Sequence, residues 1–106
     1  MAVTGAERRG SPRVDVALSV ELSRDRGNPV VAETIDVGPH GMRISSSRPL
    51  RVDEVLRFDL SLQPSEHLDG SARVLREHAR HVYALRVETL AERDAGVLSR
   101  FVAAAA

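Results

Sequence analysis

The chain has 106 residues, enough for one compact domain around one modest core, and its hydrophobic (42%) and charged (28%) fractions are those of an ordinary globular protein. Fifteen basic residues balance fifteen acidic ones, so the basic excess of a general nucleic-acid binder is missing, and no partner DNA or RNA is expected. With no cysteine there is no disulfide, thiolate metal site or cysteine nucleophile; no apolar run reaches transmembrane length, and MAVTGAERRG lacks the apolar stretch of a signal peptide, so a cytoplasmic location is the default expectation.

The first ordered segment is expected after an arm, residues 1–13, in which RRGSPR (8–13) is too polar for a core and too punctuated for a helix. From Val14 the pattern alternates: Val14, Val16, Leu18, Val20 and Leu22 fall on one face of a predicted strand. SRDRGNP (23–29) carries turn chemistry, and VVAETIDV (30–37), rich in β-branched residues, reads as the second strand. GPHG (38–41) breaks it, and MRIS (42–45) resumes a short alternation. After the connection SSRPLRVDE, VLRFDLSL (55–62) is a clear strand with Leu56, Phe58, Leu60 and Leu62 on one face. QPSEHLDG (63–70) reads as a loop, and 71–79 with 81–90 as a last antiparallel pair.

Beyond position 90 the period changes. Ala91, Ala95, Leu98, Phe101 and Val102 fall at helical spacing, with Gly96 a weak point of about 1 kcal/mol relative to alanine. Six short antiparallel strands and a helix predict an all-β closed or nearly closed barrel with the helix covering one end. The domain is expected over 14–106, with no second domain and no internal repeat.

Catalytic motifs are missing. There is no Gly-x-Ser-x-Gly elbow, no phosphate loop and no His-Glu-x-x-His, so the chain is not expected to be an enzyme. His78 and His81 have the spacing of a metal pair but fall in a predicted hairpin turn with no third ligand nearby, so no metal is expected. Asp53 and Glu54 read as a solvated edge. Two stretches stay unexplained by packing: the arginine arm, by default a solvated tail, and DVGPHG (36–41), by default a turn capped by Asp36. In a small barrel the two can lie against the same outer wall.

In that combination the sequence resembles the PilZ domains, bacterial receptors for cyclic di-GMP. Arg9-Gly-Ser-Pro-Arg13 matches the family's Arg-x-x-x-Arg; Asp36-Val-Gly38-Pro-His-Gly41 matches its Asp/Asn-x-Ser-x-x-Gly at Asp36 and Gly41 but not at Gly38. The resemblance covers nearly the whole chain. It implies a six-stranded antiparallel PilZ-type β-barrel with a C-terminal α-helix, and cyclic di-GMP as ligand, with no other cofactor. It also implies a protein effector partner and a monomer or weak dimer. By the same resemblance Arg9 and Arg13 would clamp the ligand, with Arg8 a third contact that in the family goes with a stacked ligand dimer. Asp36 would accept from the guanine N1 and N2 edge, and Gly41 would give a positive φ and a close approach to a base. Gly38 offers no hydroxyl, which costs one neutral hydrogen bond, about 0.5–1.5 kcal/mol, and predicts binding that is weakened but detectable. The arm, with Gly5 and Gly10 and no apolar anchor before Val14, is expected to be mobile until ligand closes it into a surface that a partner reads. The alternative is a degenerate PilZ-like adaptor working by protein contact alone. Gly38 supports it, as does a last strand without the glycine that many ligand-binding members carry.

Overall fold

The computed structural model describes residues 12–63 and 65–105. Its strands are β1 (Val14–Asp15), β2 (Ser19–Ser23), β3 (Val30–Gly38), β4 (Gly41–Ser46), β5 (Val55–Gln63), β6 (Glu66–Ala79) and β7 (Val82–Leu90), followed by helix α1 (Glu92–Ala105). Every pairing is antiparallel. The order β3–β2–β5–β6–β7–β4 returns to its start because β4 also pairs with β3, so six strands close a barrel and no long edge is left open. The fold class expected from the alternating pattern is the one observed.

The first predicted strand, 14–22, is present but interrupted. β1 pairs with the end of β3 (Asp15↔Asp36) and β2 with its start (Ser19↔Glu33), so three residues on one side face two on the other. The buried Thr34 hydroxyl fills the gap, donating to the Val16 carbonyl (2.6 Å) and accepting from the Leu18 amide (2.8 Å). A side chain thus satisfies the backbone groups that a bulge would leave unpaired. A larger departure lies at 66–70, expected as a loop but forming the start of β6, where Leu68 is fully buried opposite Leu60. Polar neighbours on the outward face disguised a strand whose single inward side chain completes the core.

The inward faces supply that core: Leu22, Val37, Met42, Ile44, Leu56, Leu60, Val74 and Tyr83 are almost fully excluded from solvent. Leu98 and Val102 of α1 join them, so the helix packs one apolar stripe on the barrel beside β3 and β6. Glu92 and Asp94 occupy its first turn, where the helix dipole favours acids. Tyr83 Oη accepts the Leu50 amide at 2.9 Å and ties the 47–54 connection to the barrel. Asp53 is exposed, as expected of a solvated edge, but Glu54 is partly buried and engaged. Asp53 takes φ 74°, and the Glu54 carboxylate receives Arg24 Nε (2.8 Å), Arg24 Nη2 (3.0 Å) and the Arg51 amide (2.8 Å). The Arg24 hydrogen bonds outweigh burial and hold the Glu54 carboxyl below its ordinary range. His81, at φ 62°, turns the β6–β7 hairpin, and no cluster of three metal-ligating side chains occurs among the described residues.

Candidate ligand-binding site

The site is built around a register change in β3. Thr34 pairs with Ile44, but Asp36 pairs with Arg43, so Ile35 is an extra residue against β4. Without that bulge the inward series Val30, Ala32, Thr34 would continue to position 36. With it, Val37 turns into the core against Met42, and Asp36 is re-aimed to the outer face beside its cross-strand partner Arg43. Gly38 and Gly41 then pair at the hairpin end, leaving Pro39 and His40 as its turn. The His40 carbonyl accepts the Val87 amide at 2.9 Å, which stitches the turn to β7.

Asp36 is the centre. Although on the outer face, it is only 5% exposed, because two guanidinium groups cover it. Arg13 donates Nε (3.1 Å) and Nη2 (2.6 Å) to Oδ1, and Arg43 donates Nε (3.0 Å) and Nη2 (2.7 Å) to Oδ2. Burial alone would push the carboxyl up; the hydrogen bonds and charges of Arg13 and Arg43 overcome it and hold Asp36 below its ordinary value. Asp15, the cross-strand partner of Asp36 on β1, faces the same wall, so two acids stand with the two arginines, and each guanidinium keeps its Nη1 donors free of Asp36.

One expectation for the glycines is corrected, the positive φ at Gly41. Gly27 is the only described glycine with φ in the left-handed region, so Gly41 does not turn the chain through a positive φ. Its need is contact: a Cβ there would sit 2.5 Å from the Leu85 carbonyl oxygen across the β4–β7 seam. A Cβ on Gly38 would meet the Pro12 carbonyl oxygen at 3.2 Å and Arg13 Nη1 at 3.3 Å, so the bare backbone lets Pro12 and Arg13 lie across the turn. Beside these residues is a concavity of about 230 Å³ lined by Arg13, Pro39, His40, Gly41, Leu75, Leu85 and Arg86. A larger groove of about 460 Å³ between Leu62 and α1 contains none of the motif residues.

Of the residues singled out in sequence, Arg13, Asp36, Gly38 and Gly41 converge here; Arg8 and Arg9 lie outside the described residues. Arg43 was missed. In a chain whose basic residues are all arginine, an outward arginine between Met42 and Ile44 is unremarkable, and only the register opposite Asp36 singles it out.

The model of the PilZ domain matches residues 7–104. The chain belongs to the PilZ domain family. Among solved structures, this PilZ domain is similar to the Bacillus subtilis inhibitor of motility, MotI/DgrA, at a TM-score of 0.76 and 17% identity, over 92% of this chain and 50% of that one. The chain thus spans half the length of that neighbour. It is also similar to the PilZ domain of CeSA from a cellulose-synthesizing bacterium, at a TM-score of 0.66 and 18% identity, over 87% of this chain and 95% of that one. At these identities the likeness is one of fold. No curated protein sequence matches the chain. No helix among the described residues is long and apolar enough to cross a membrane.

Proposed function

We propose that this PilZ domain is a cyclic di-GMP receptor that signals through a protein partner. One observation carries the reading: Arg13 of the first motif and Asp36 of the second, 23 positions apart, are joined by a 2.6 Å hydrogen bond, so the two halves of the motif meet on the barrel wall. The ligand has two guanines and two phosphates. Arginine serves both, since its fork donates in parallel to guanine O6 and N7 while its fixed charge suits a phosphate. Arg13 and Arg43 each keep donors that Asp36 does not engage, and in this reading Arg9, with Arg8, completes the clamp from the arm.

Asp36 acts in this reading as a brace. Both its oxygens are engaged by arginine, so direct acceptance from guanine N1 and N2 requires one guanidinium to let go. Closure of the arm over the ligand then creates a composite surface of arm, ligand and barrel wall for the partner. Calorimetric titration with cyclic di-GMP at tens of micromolar protein tests the proposal. Binding is expected for the natural chain, with a loss of about 100-fold or more in Arg13→Ala, which removes several charge-assisted hydrogen bonds together. No heat with the natural chain overturns the receptor reading. It favours the second reading, an adaptor without ligand, for which the missing hydroxyl at Gly38 speaks.

A further inference from the structure

On the outer wall beyond Gly41, the barrel carries a feature that the two motifs do not include. Arg86 of β7 pairs with Gly41, so its side chain rises from the strand beside the hairpin turn, and it remains 56% exposed. Glu88, two residues along the same face, accepts Arg86 Nη2 at 3.0 Å and Arg73 Nε at 3.3 Å, which holds the Arg86 guanidinium along the wall. Next to it β6 is irregular. Val74 pairs with Leu85 and Arg76 with Ala84, so Leu75 is an extra residue pushed outward, an apolar side chain 38% exposed among arginines. Arg13, Leu75 and Arg86 all line the 230 Å³ concavity.

A cleft of this size is below the roughly 300–1,000 Å³ of sites that enclose a drug-sized ligand, so it fits one end of a dinucleotide. Its chemistry is that of a base site: an apolar side chain for a ring face, and two guanidinium groups in the lining for the acceptors of a ring edge or a neighbouring phosphate. We infer that one guanine of the ligand lies in this cleft, against Leu75 and between Arg13 and Arg86, making Leu75 and Arg86 ligand contacts of this chain. Resting on the cyclic di-GMP reading above, this inference extends the site across β4 onto β6 and β7.

The test is calorimetry of the full chain with cyclic di-GMP, comparing Arg86→Met and Leu75→Ala with Arg76→Met. Arg76 is an exposed arginine on the same wall that does not line the cleft. Arg86→Met is expected to weaken binding about 10-fold or more, as for a lost charge-assisted hydrogen bond. Leu75→Ala is expected to cost about 3-fold or more, as for lost apolar contact. Arg76→Met should stay within about 2-fold, the screened effect of one charge outside the cleft. In the unmodified protein, the Leu75 methyl resonances should shift on titration, a readout that does not depend on a variant folding. Equal losses in Arg86→Met and Arg76→Met, unshifted Leu75 methyls, or normal binding by Arg86→Met each overturn the inference while the receptor reading stands. A natural chain that does not bind overturns both.

Discussion

Two carboxylates on this barrel are each gripped by two arginines, and they are not equivalent. Asp36 spreads its partners over both oxygens, receives four N–H donors between 2.6 and 3.1 Å, and is sealed from water beneath them. Glu88 meets Arg73 and Arg86 through a single oxygen, at 3.3 and 3.0 Å, on an exposed strand. The first arrangement fixes its arginines, because any departure leaves a buried charge with donors missing. The second is a solvated tether of small energetic worth that leaves Arg86 able to reorient. One wall of the barrel thus combines a rigid end, built by the motif, with an adjustable end built by β6 and β7.

The largest break in that comparison comes from Asp36→Ala set against Glu88→Gln. Losing the Asp36 brace is expected to cost about 1–3 kcal/mol of stability. In thermal denaturation that is a fall of roughly 4–8 °C per kcal/mol for a domain near this size. Glu88→Gln should leave the melting temperature essentially unchanged; equal falls in both variants would erase the distinction between brace and tether.

Acid sharpens the same contrast. The Asp36 carboxyl is depressed in the fold, so its stabilising contribution is fully present above the unfolded value and is lost as pH falls through the folded one. The stability difference between the natural chain and Asp36→Asn should therefore be constant from pH 7 to about pH 5. It should shrink below about pH 4, where unfolded aspartates protonate. Urea denaturation at several pH values checks this, and a difference that grows on acidification would contradict the sign.

The smallest effect belongs to Gly38→Ser. A Cβ at 3.2–3.3 Å from the Pro12 carbonyl and Arg13 asks the arm to yield by a few tenths of an ångström, while the hydroxyl adds one polar contact. A gain in cyclic di-GMP affinity of about 2- to 12-fold is expected from one neutral hydrogen bond. Weaker binding would mean that the arm needs the bare backbone.

Much of this wall was legible in the sequence. The alternation of Val14, Val16, Leu18, Val20 and Leu22 and of Leu56, Phe58, Leu60 and Leu62 announced the barrel, since the inward period survives on the page as hydrophobicity. The spacing from Arg13 to Asp36 pointed to the site. Hidden were the features that depend on register. Ile35 and Leu75 look like ordinary strand residues, yet as extra residues against a neighbouring strand they turn Asp36 outward and raise an apolar side chain beside Arg86. Arg43 and Arg86 are likewise anonymous until pairing places them opposite Asp36 and Gly41. Outward positions carry no hydrophobic signal, so function written on the outside of a barrel is spelled by pairing.

Gly41 gives that statement a practical edge. Its missing side chain is demanded by the Leu85 carbonyl on the neighbouring strand, at the seam where the last strands meet and the cylinder is sealed. A mutational survey scored only on signalling output would rank position 41 beside Arg13 as a recognition residue. What it would have detected is a leak in the wall: a signature letter of the motif that works as the keystone of the vessel.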